Sequence, residues 1–185
     1  MPTADGPIIV IAGTNRPGSN ARRVAELLVA HYRSADGAAV ELYSLAEMPA
    51  ELFDPSSYAT KPRAWQAVQD RVVASAGLHV VTPEYNGSFP GVLKYFIDML
   101  KFPESFEHKP VAFTGEAAGI WGGFRAVEQL QMIFGYRNAY MYPERVFIPG
   151  ISQKFDATGS FTDESINERL AMQARGFAEF TRRFR

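Results

Sequence analysis

The sequence has no cysteine among its 185 residues. This absence excludes disulfide bonds, thiolate metal sites and a cysteine nucleophile. The chain also has no run approaching the roughly 18 consecutive apolar residues that span a bilayer. Its first residues carry no basic cluster of the kind that opens a signal peptide. We therefore expect a cytoplasmic protein that makes no use of a membrane.

Neither sign of charge is in excess. The sequence has 19 Lys and Arg against 20 Asp and Glu, which gives a formal net charge of −1. Nucleic-acid-binding domains normally have a basic excess or a basic face, so we do not expect a nucleic-acid partner. Hydrophobic residues make up 46% of the chain, as in an average globular protein, and the length predicts a single domain over residues 1–185.

Apolar segments with two different periodicities alternate along the chain. Short runs rich in β-branched residues, typical of buried strands, occur at residues 7–13, 38–43, 78–82, 111–114 and 146–148. A segment with helical spacing follows each run. This alternation predicts an α/β fold with a five-stranded parallel sheet covered on both faces. Right-handed crossovers make it a doubly wound three-layer sandwich.

In sheets of this kind, ligands bind beyond the carboxyl ends of the strands, where the winding direction reverses. The loops that follow the first, third and fourth predicted strands are therefore the candidate site. They span residues 13–20, 82–91 and 115–123. These loops are also the most unusual stretches of the sequence.

The first loop, residues 13–20, precedes a helix for which Ser19 is the expected N-cap. A helix N-terminus presents backbone N–H groups and partial positive charge, which suits a phosphate group. Arg16 adds a guanidinium, and further donors come from the side chains of Thr14, Ser19 and Asn20. The alternative is a polar turn with a helix cap and no ligand.

Two well-known nucleotide-binding motifs do not match this loop. Gly13 and Gly18 have the Walker A spacing, but Ser19 stands where the lysine belongs and Asn20 where the hydroxyl belongs. The dinucleotide motif G-x-G-x-x-G fails because Asn15 takes the place of its second glycine. The loop suits a terminal phosphate monoester better than a hydrolysable nucleoside triphosphate.

The second loop, residues 82–91, combines two prolines and two glycines with an aromatic residue and polar groups. Tyr85, Asn86 and Ser88 supply a ring face and hydrogen-bonding groups on a backbone that the prolines stiffen. A planar heteroaromatic ligand needs this combination of a rigid wall and polar groups aimed at its edge. The alternative is a well-formed turn ahead of a helix.

The third loop, residues 115–123, contains four glycines and two alanines. Residues this small let the main chain approach a ligand closely. The alternative is simple flexibility of a loop that precedes a helix.

The three histidines are scattered along the chain. His79 lies in a predicted core strand and His31 in the first helix, and no glycine-flanked serine forms a nucleophile elbow near any of them. We see no metal-binding cluster that involves them or His108. We therefore expect packing roles for all three and no metal site.

Together, the three loops resemble the NADPH-dependent FMN reductase family. The resemblance rests on Gly13-Thr-Asn-Arg-Pro-Gly-Ser19, on Pro83-Glu-Tyr-Asn-Gly-Ser-Phe-Pro-Gly-Val-Leu-Lys94, and on the block from Lys109 to Gly123. It extends from about Ile8 to the last helix. It implies a flavodoxin-like fold, FMN as cofactor and NADPH or NADH as cosubstrate. Members of the family include quinone, chromate and azo-dye reductases.

The resemblance also assigns the flavin-binding residues. Those expected to bind the FMN phosphate are Thr14, Arg16, Ser19 and Asn20. Those expected to line the isoalloxazine ring and the ribityl chain are Pro83, Glu84, Tyr85 and Asn86. Those expected to bring backbone groups to the pyrimidine edge are Gly115, Ala118 and Gly119. No catalytic side chain is expected, because the flavin itself carries the redox chemistry.

The sequence departs from the family pattern at two positions. Tyr95 follows Lys94 where the family usually has asparagine, and Glu116 stands where a small, serine-like residue is common. An acidic group close to the flavin would disfavour negative charge on the reduced ring. We expect these departures to affect substrate preference more than FMN binding.

The function implied is that of an FMN-dependent NAD(P)H oxidoreductase. Two electrons would pass to a quinone, a free flavin or a similar small acceptor, by a ping-pong mechanism because both substrates share one open face of the ring. The alternative is a non-enzymatic FMN-binding electron carrier or flavin-binding regulatory protein. Flavodoxin carriers are usually strongly acidic and lack an arginine in the phosphate loop, so the balanced charge and Arg16 favour the enzyme.

The resemblance implies a homodimer or a homotetramer. Two aromatic-rich segments, residues 102–106 and 136–142, are candidates for the interface between chains. Exposed tyrosine and phenylalanine favour contacts of this kind. Ordinary core packing of these segments is the alternative.

Overall fold

The computed structural model describes residues 6–34 and 38–184. The elements in chain order are β1 (Ile8–Ala12), α1 (Asn20–Ser34), β2 (Val40–Ser44), α2 (Arg63–Ala74), β3 (Gly77–Pro83), α3 (Gly91–Met99), β4 (Pro110–Ala117), α4 (Phe124–Tyr136), β5 (Tyr140–Met141), β6 (Val146–Pro149) and α5 (Glu164–Arg182). Short 3₁₀ helices occur at residues 45–47, 50–53, 55–58 and 151–153.

The strands form one parallel sheet in the order β2-β1-β3-β4, and both β5 and β6 pair with the far side of β4. In the centre of the sheet, Val10 of β1 lies between Leu42 of β2 and His79 of β3. The winding direction reverses between β1 and β3. Flavodoxin-like sheets bind their ligand at this position, beyond the carboxyl ends of the two strands.

Side chains of the sheet alternate between two apolar layers, because successive residues of a strand point to opposite faces. Val10 belongs to the layer that α1 and α5 cover, whereas Ile9 and Ile11 belong to the layer that α2, α3 and α4 cover. The helices on both faces explain why β1 is a continuous apolar run. Within residues 6–34 and 38–184, no helix has the length and apolar character to cross a bilayer.

The predicted α/β fold with a parallel sheet is confirmed, and all five predicted strands are present. Two details of the sheet differ. The two-residue strand β5 was not predicted; it pairs with the start of β4, while β6 pairs with residues 114–117. Strand β4 also continues three residues beyond its predicted end, because Gly115, Glu116 and Ala117 pair with β6. Pairing with a neighbouring strand overrides the low strand propensity of glycine.

Lys109 joins the start of β4 to the end of α2. Its Nζ donates hydrogen bonds to the carbonyl oxygens of Val72 (2.9 Å), Val73 (3.0 Å) and Ser75 (2.8 Å), and the residue is 1% exposed. The last carbonyls of a helix lack partners within the helix and attract a cation. Burial lowers the pKa of Lys109 to about 8, so the ammonium form predominates at pH 7. The first residue of the third family motif is therefore a structural residue.

We expect Lys109→Met to lower the free energy of unfolding by about 3 kcal/mol, because three carbonyls lose a charged donor. Urea denaturation of the variant and of the unaltered protein measures this difference. Lys101→Met is the matched control, since the exposed Lys101 side chain bonds to Asp70 (2.6 Å) at the surface. The control should change stability by less than about 1 kcal/mol. Equal losses in the two variants would contradict the structural role of Lys109.

Candidate functional site

A cavity of about 430 Å³ lies at the carboxyl ends of β1, β3 and β4. Its walls come from the loops after β1 and β3, the end of β4 and the segment that follows β6. The predicted site residues that line it are Arg16, Ser19, Asn20, Pro83, Glu84, Tyr85 and Ala118. The remaining lining residues are Pro17, Gly18, Glu116, Ala117, Ile151 and Ser152. Of these, Ile151 and Ser152 belong to the 3₁₀ helix at residues 151–153, which no sequence motif marks as part of a site.

One end of the cavity is the N-terminus of α1. The predicted cap is confirmed: the Ser19 hydroxyl accepts a hydrogen bond from Arg22 N (3.2 Å), and the Ser19 carbonyl accepts one from Arg23 N (3.4 Å). The first two N–H groups of α1, those of Asn20 and Ala21, precede the Arg22 and Arg23 N–H groups that bond to Ser19. The exposed Arg16 precedes them in the loop. This end of the cavity therefore combines helix N–H groups with one guanidinium.

Thr14 lies under the first loop and is buried. Its hydroxyl oxygen accepts a hydrogen bond from Arg16 N (3.3 Å) and lies 3.4 Å from the hydroxyl of Tyr85. Thr14 thus connects the loop after β1 to the loop after β3. Thr14 supports two of the residues that line the cavity, Arg16 and Tyr85, but does not line it itself.

Glu84 lines the cavity and has a largely buried carboxylate. Its side chain is 8% exposed, and its Oε1 accepts a hydrogen bond from Arg125 Nη1 (2.9 Å). Its Oε2 is buried and has no hydrogen-bond partner among the residues that the structure describes. A buried carboxylate oxygen without a partner is costly.

The segment Tyr85–Ser88 is a tight turn with two reciprocal backbone hydrogen bonds, of 2.8 and 3.1 Å. Its central residues, Asn86 and Gly87, have φ values of 53° and 76°. This pattern is typical of a type I′ turn, for which Asn-Gly is the preferred pair. Gln129 of α4 fixes the turn by bonding to the Ser88 hydroxyl and the Gly87 carbonyl. Tyr85 lines the cavity, while Asn86 serves the turn.

Two glycines of the third loop act in packing between backbone segments. A Cβ atom on Gly123 would lie 2.5 Å from Glu116 N, and one on Gly115 would lie 2.9 Å from the Gly123 carbonyl oxygen. The loop therefore packs directly on β4, which leaves Gly115 inside the strand and away from the cavity. Ala118 lines the cavity and also a neighbouring one of about 370 Å³, to which Gly119 belongs.

The two departures from the family pattern have different surroundings. Tyr95 donates its hydroxyl to the carbonyl of Leu52 (2.5 Å), outside the cavity. Glu116 lines the cavity and is 5% exposed. Burial raises the pKa of Glu116 to about 7, against the opposing effects of a hydrogen bond from the Ala21 N–H and the charge of Arg16. Glu116 is therefore an acid at the end of the cavity where α1 begins.

The packing roles predicted for the histidines are confirmed. His79 is buried, with Nδ1 2.7 Å from the hydroxyl of Tyr32 and Nε2 2.9 Å from the hydroxyl of Thr114. Burial lowers the pKa of His79 to about 3, which keeps the ring neutral. His31 hydrogen-bonds to α5, and His108 stacks on a ring of β5. Within the described parts of the chain, no three His, Asp or Glu side chains are placed to hold a metal ion.

Known proteins match the chain over most of its length. The profile of the NADPH-dependent FMN reductase family matches residues 7–153. An NAD(P)H-dependent FMN reductase of Pseudomonas aeruginosa is 30% identical over 185 residues, covering 98% of each chain. A quinone reductase of Escherichia coli K12 is 31% identical over 180 residues, covering 95% of each chain.

Solved structures agree in fold. The flavoenzyme FerB of Paracoccus denitrificans, an NAD(P)H:(acceptor) oxidoreductase, superposes with a TM-score of 0.78 at 24% identity, covering 96% of this chain and 98% of its own. A flavodoxin from the domain Archaea superposes with a TM-score of 0.65 at 13% identity. These likenesses show the flavodoxin-like fold, whereas the sequence comparisons show the family. The family's cofactor is FMN and its reductant is NAD(P)H, and the chain is an oxidoreductase that belongs to the NADPH-dependent FMN reductase family.

Proposed function

We propose that the chain transfers two electrons from NAD(P)H to a quinone, a free flavin or a similar small acceptor, by a ping-pong mechanism, with FMN in the cavity between β1 and β3. The observation that carries this proposal is the chemistry of the cavity walls. A helix N-terminus with Arg16 lies at one end, and Glu84 and Tyr85 lie along the side. These groups suit a ligand with an anionic end and a body that donates hydrogen bonds.

The phosphate of FMN would be held at the N-terminus of α1. Arg16 contributes a planar guanidinium, and the Ser19 hydroxyl still has its proton to donate, because its oxygen serves as the acceptor in the helix cap. The backbone N–H and side-chain amide of Asn20 complete the set. Hydrogen bonds between charged partners are stronger than neutral ones, and a helix N-terminus adds partial positive charge.

The body of the flavin would lie along the loop after β3. Pro83 and Tyr85 form a stiff wall, which the turn at residues 85–88 and Thr14 keep in place. The Glu84 carboxylate belongs to the same wall, where it would accept a hydrogen bond from an N–H or O–H group of the ligand. The small residue Ala118, which also lines the cavity, would let the ligand approach the main chain closely. When bound, FMN supplies the hydride acceptance and the two-electron transfer.

The chain's role in turnover is to hold the cofactor with one ring face open. The described residues form a single α/β sandwich, with no second α/β unit for a nicotinamide nucleotide. Both NAD(P)H and the acceptor would then bind at the open face, one after the other. Membership of a reductase family, together with Arg16 in the phosphate loop, removes the support for a non-enzymatic electron carrier.

We also propose that the chain forms a homodimer or a homotetramer through α4. Met132 and Tyr136 on this helix are 69% and 80% exposed, and Phe102 is exposed nearby, with the Arg137 guanidinium 4.2 Å from its ring centroid. Large apolar side chains in such a patch are typical of contact surfaces between chains. Phe106 and Tyr142, from the two segments considered above, are buried and belong to the core.

We expect Arg16→Ala to weaken FMN binding by about 1.5–3 kcal/mol, the usual range for a hydrogen bond to a charged group. Titration followed by FMN fluorescence measures the affinity. Arg23→Ala is the matched control, because Arg23 lies in the first turn of α1, close in sequence to Arg16, but its guanidinium stacks over Phe155 (3.7 Å) outside the cavity. Equal FMN affinities for the unaltered protein and Arg16→Ala would refute the phosphate role of Arg16.

Initial rates should show ping-pong kinetics. With NADPH varied at several fixed quinone concentrations, we expect parallel double-reciprocal lines, because the two substrates take turns at one ring face. In the absence of acceptor, one equivalent of NADPH should bleach the flavin absorbance. Intersecting lines would indicate that both substrates bind at once and would contradict the shared face.

Light scattering after gel filtration should give the mass of two or four chains. We expect Met132→Glu and Tyr136→Glu to lower this mass, since each buries a charge in the proposed contact. Met172→Glu, at an exposed methionine of α5, should leave the mass unchanged. A monomeric unaltered protein would rule out the proposed assembly.

A further inference from the structure

Glu116 places a carboxyl group at the end of the cavity that we assign to the FMN phosphate. Thr114, two residues earlier on β4, bonds to His79 and to Gln173 of α5. Its side chain therefore points to the sheet face that α1 and α5 cover, and the Glu116 side chain points to the same face. The Ala21 N–H of α1 lies close enough to the Glu116 carboxylate to favour its charged form. The carboxylate thus faces a helix N–H group that a bound phosphate would also approach.

The charges around Glu116 do not supply a second cation. Arg16 faces it from the first loop and is the one Lys or Arg among the described residues that line the cavity. From the β3 loop come Tyr85 and Glu84, and the Glu84 carboxylate is already paired with Arg125. From the segment after β6, the lining residues are Ile151 and Ser152, neither of which titrates. A phosphate and an ionised Glu116 would therefore share one guanidinium and one helix N-terminus.

We propose that Glu116 is a specificity-determining residue: its carboxylate competes with the flavin phosphate for Arg16 and the N-terminus of α1, so that FMN binds together with one proton on Glu116. This inference rests on the proposed function, and for Glu116 it replaces the expectation of a greater effect on substrate preference than on FMN binding. Riboflavin, which has the same ring and chain but no phosphate, escapes the competition. The discrimination between FMN and riboflavin then varies with the protonation of this single side chain.

Competition by the Glu116 carboxylate should weaken FMN binding as the pH rises. Burial raises the pKa of Glu116 to about 7, so its ionised fraction grows from pH 7 to pH 9. A phosphate monoester has its second pKa near 6 and is fully charged over the same range. If one proton is taken up for each FMN bound, the affinity for FMN falls by up to about tenfold for each pH unit above 7.

The test is a titration of the apoprotein with FMN and with riboflavin at pH 7, 8 and 9. For the unaltered protein we expect FMN affinity to fall across this range while riboflavin affinity stays level. Glu116→Gln and Glu116→Ser should both abolish the fall and bind FMN about 10- to 100-fold more tightly at pH 9. Glu47→Gln is the control, because Glu47 pairs with Arg22 of α1 (3.6 Å) outside the cavity and should behave as the unaltered protein.

A second readout needs no flavin. The folded-state pKa of Glu116 is above the ordinary 4.5, so its contribution to stability is present at low pH and is lost as the pH rises through about 7. The melting temperature of apoprotein Glu116→Gln, relative to the unaltered protein, should therefore rise from pH 5 to pH 8. The difference in melting temperature between the two proteins cancels the pH dependence that comes from groups present in both, such as His79.

Three outcomes would overturn the inference. The first is a level FMN affinity from pH 7 to pH 9 in the unaltered protein, and the second is a fall that persists in Glu116→Gln. The third is tighter binding in Glu116→Ser alone, which would point to side-chain size rather than charge. If Arg16→Ala weakens FMN binding in the same assay, such results overturn the role of Glu116 only. If FMN does not bind or Arg16→Ala has no effect, the proposed function fails as well.

Discussion

The parallel alignment of all strands is the constraint on which the site depends. A parallel sheet needs a crossover between neighbours, and its two faces must be covered by helices. Because β1 and β3 are neighbours while the chain passes through β2 in between, their helices lie on opposite faces, and the loops after both strands diverge from a common cleft. The N-terminus of α1 opens into that cleft. The cavity is thus a consequence of strand order before any side chain is considered.

Hydrogen bonds to neighbouring segments fix the conformations of the polar groups around the cavity. Glu84 is held by Arg125 on one oxygen, and its backbone N–H bonds to the carbonyl of Glu116 (2.9 Å). Thr14 and Tyr85 connect two loops from behind. A ligand therefore meets fixed donors and acceptors, which lowers the entropy cost of binding. The same rigidity makes an unsatisfied oxygen or a misplaced charge more costly than it would be in a mobile loop.

Much of the fold and part of the site could be predicted from the sequence, for physical reasons. Buried parallel strands are continuous apolar runs, so the five main strands were evident, whereas β5 has only two exposed residues and no such signal. Residues that line the cavity could be predicted where a motif marks a loop. The sequence does not predict the structural roles of Lys109, Thr14 and Gly115, because these roles depend on contacts between segments far apart in the chain. The membership of Ile151 and Ser152 in the wall depends on such contacts too.

The extension of β4 to Ala117 restricts how far the Glu116 side chain can move. In a loop, an acidic side chain could turn away from an incoming phosphate at little cost. In β4, its backbone is paired with Pro83 on one side and Ile148 on the other, and the backbone of Gly123 packs against its N–H. The position of Glu116 is therefore fixed by strand register, and rotation or protonation of the side chain are the two ways to relieve repulsion. In a cavity with a single lining cation, protonation removes the charge without breaking any backbone contact.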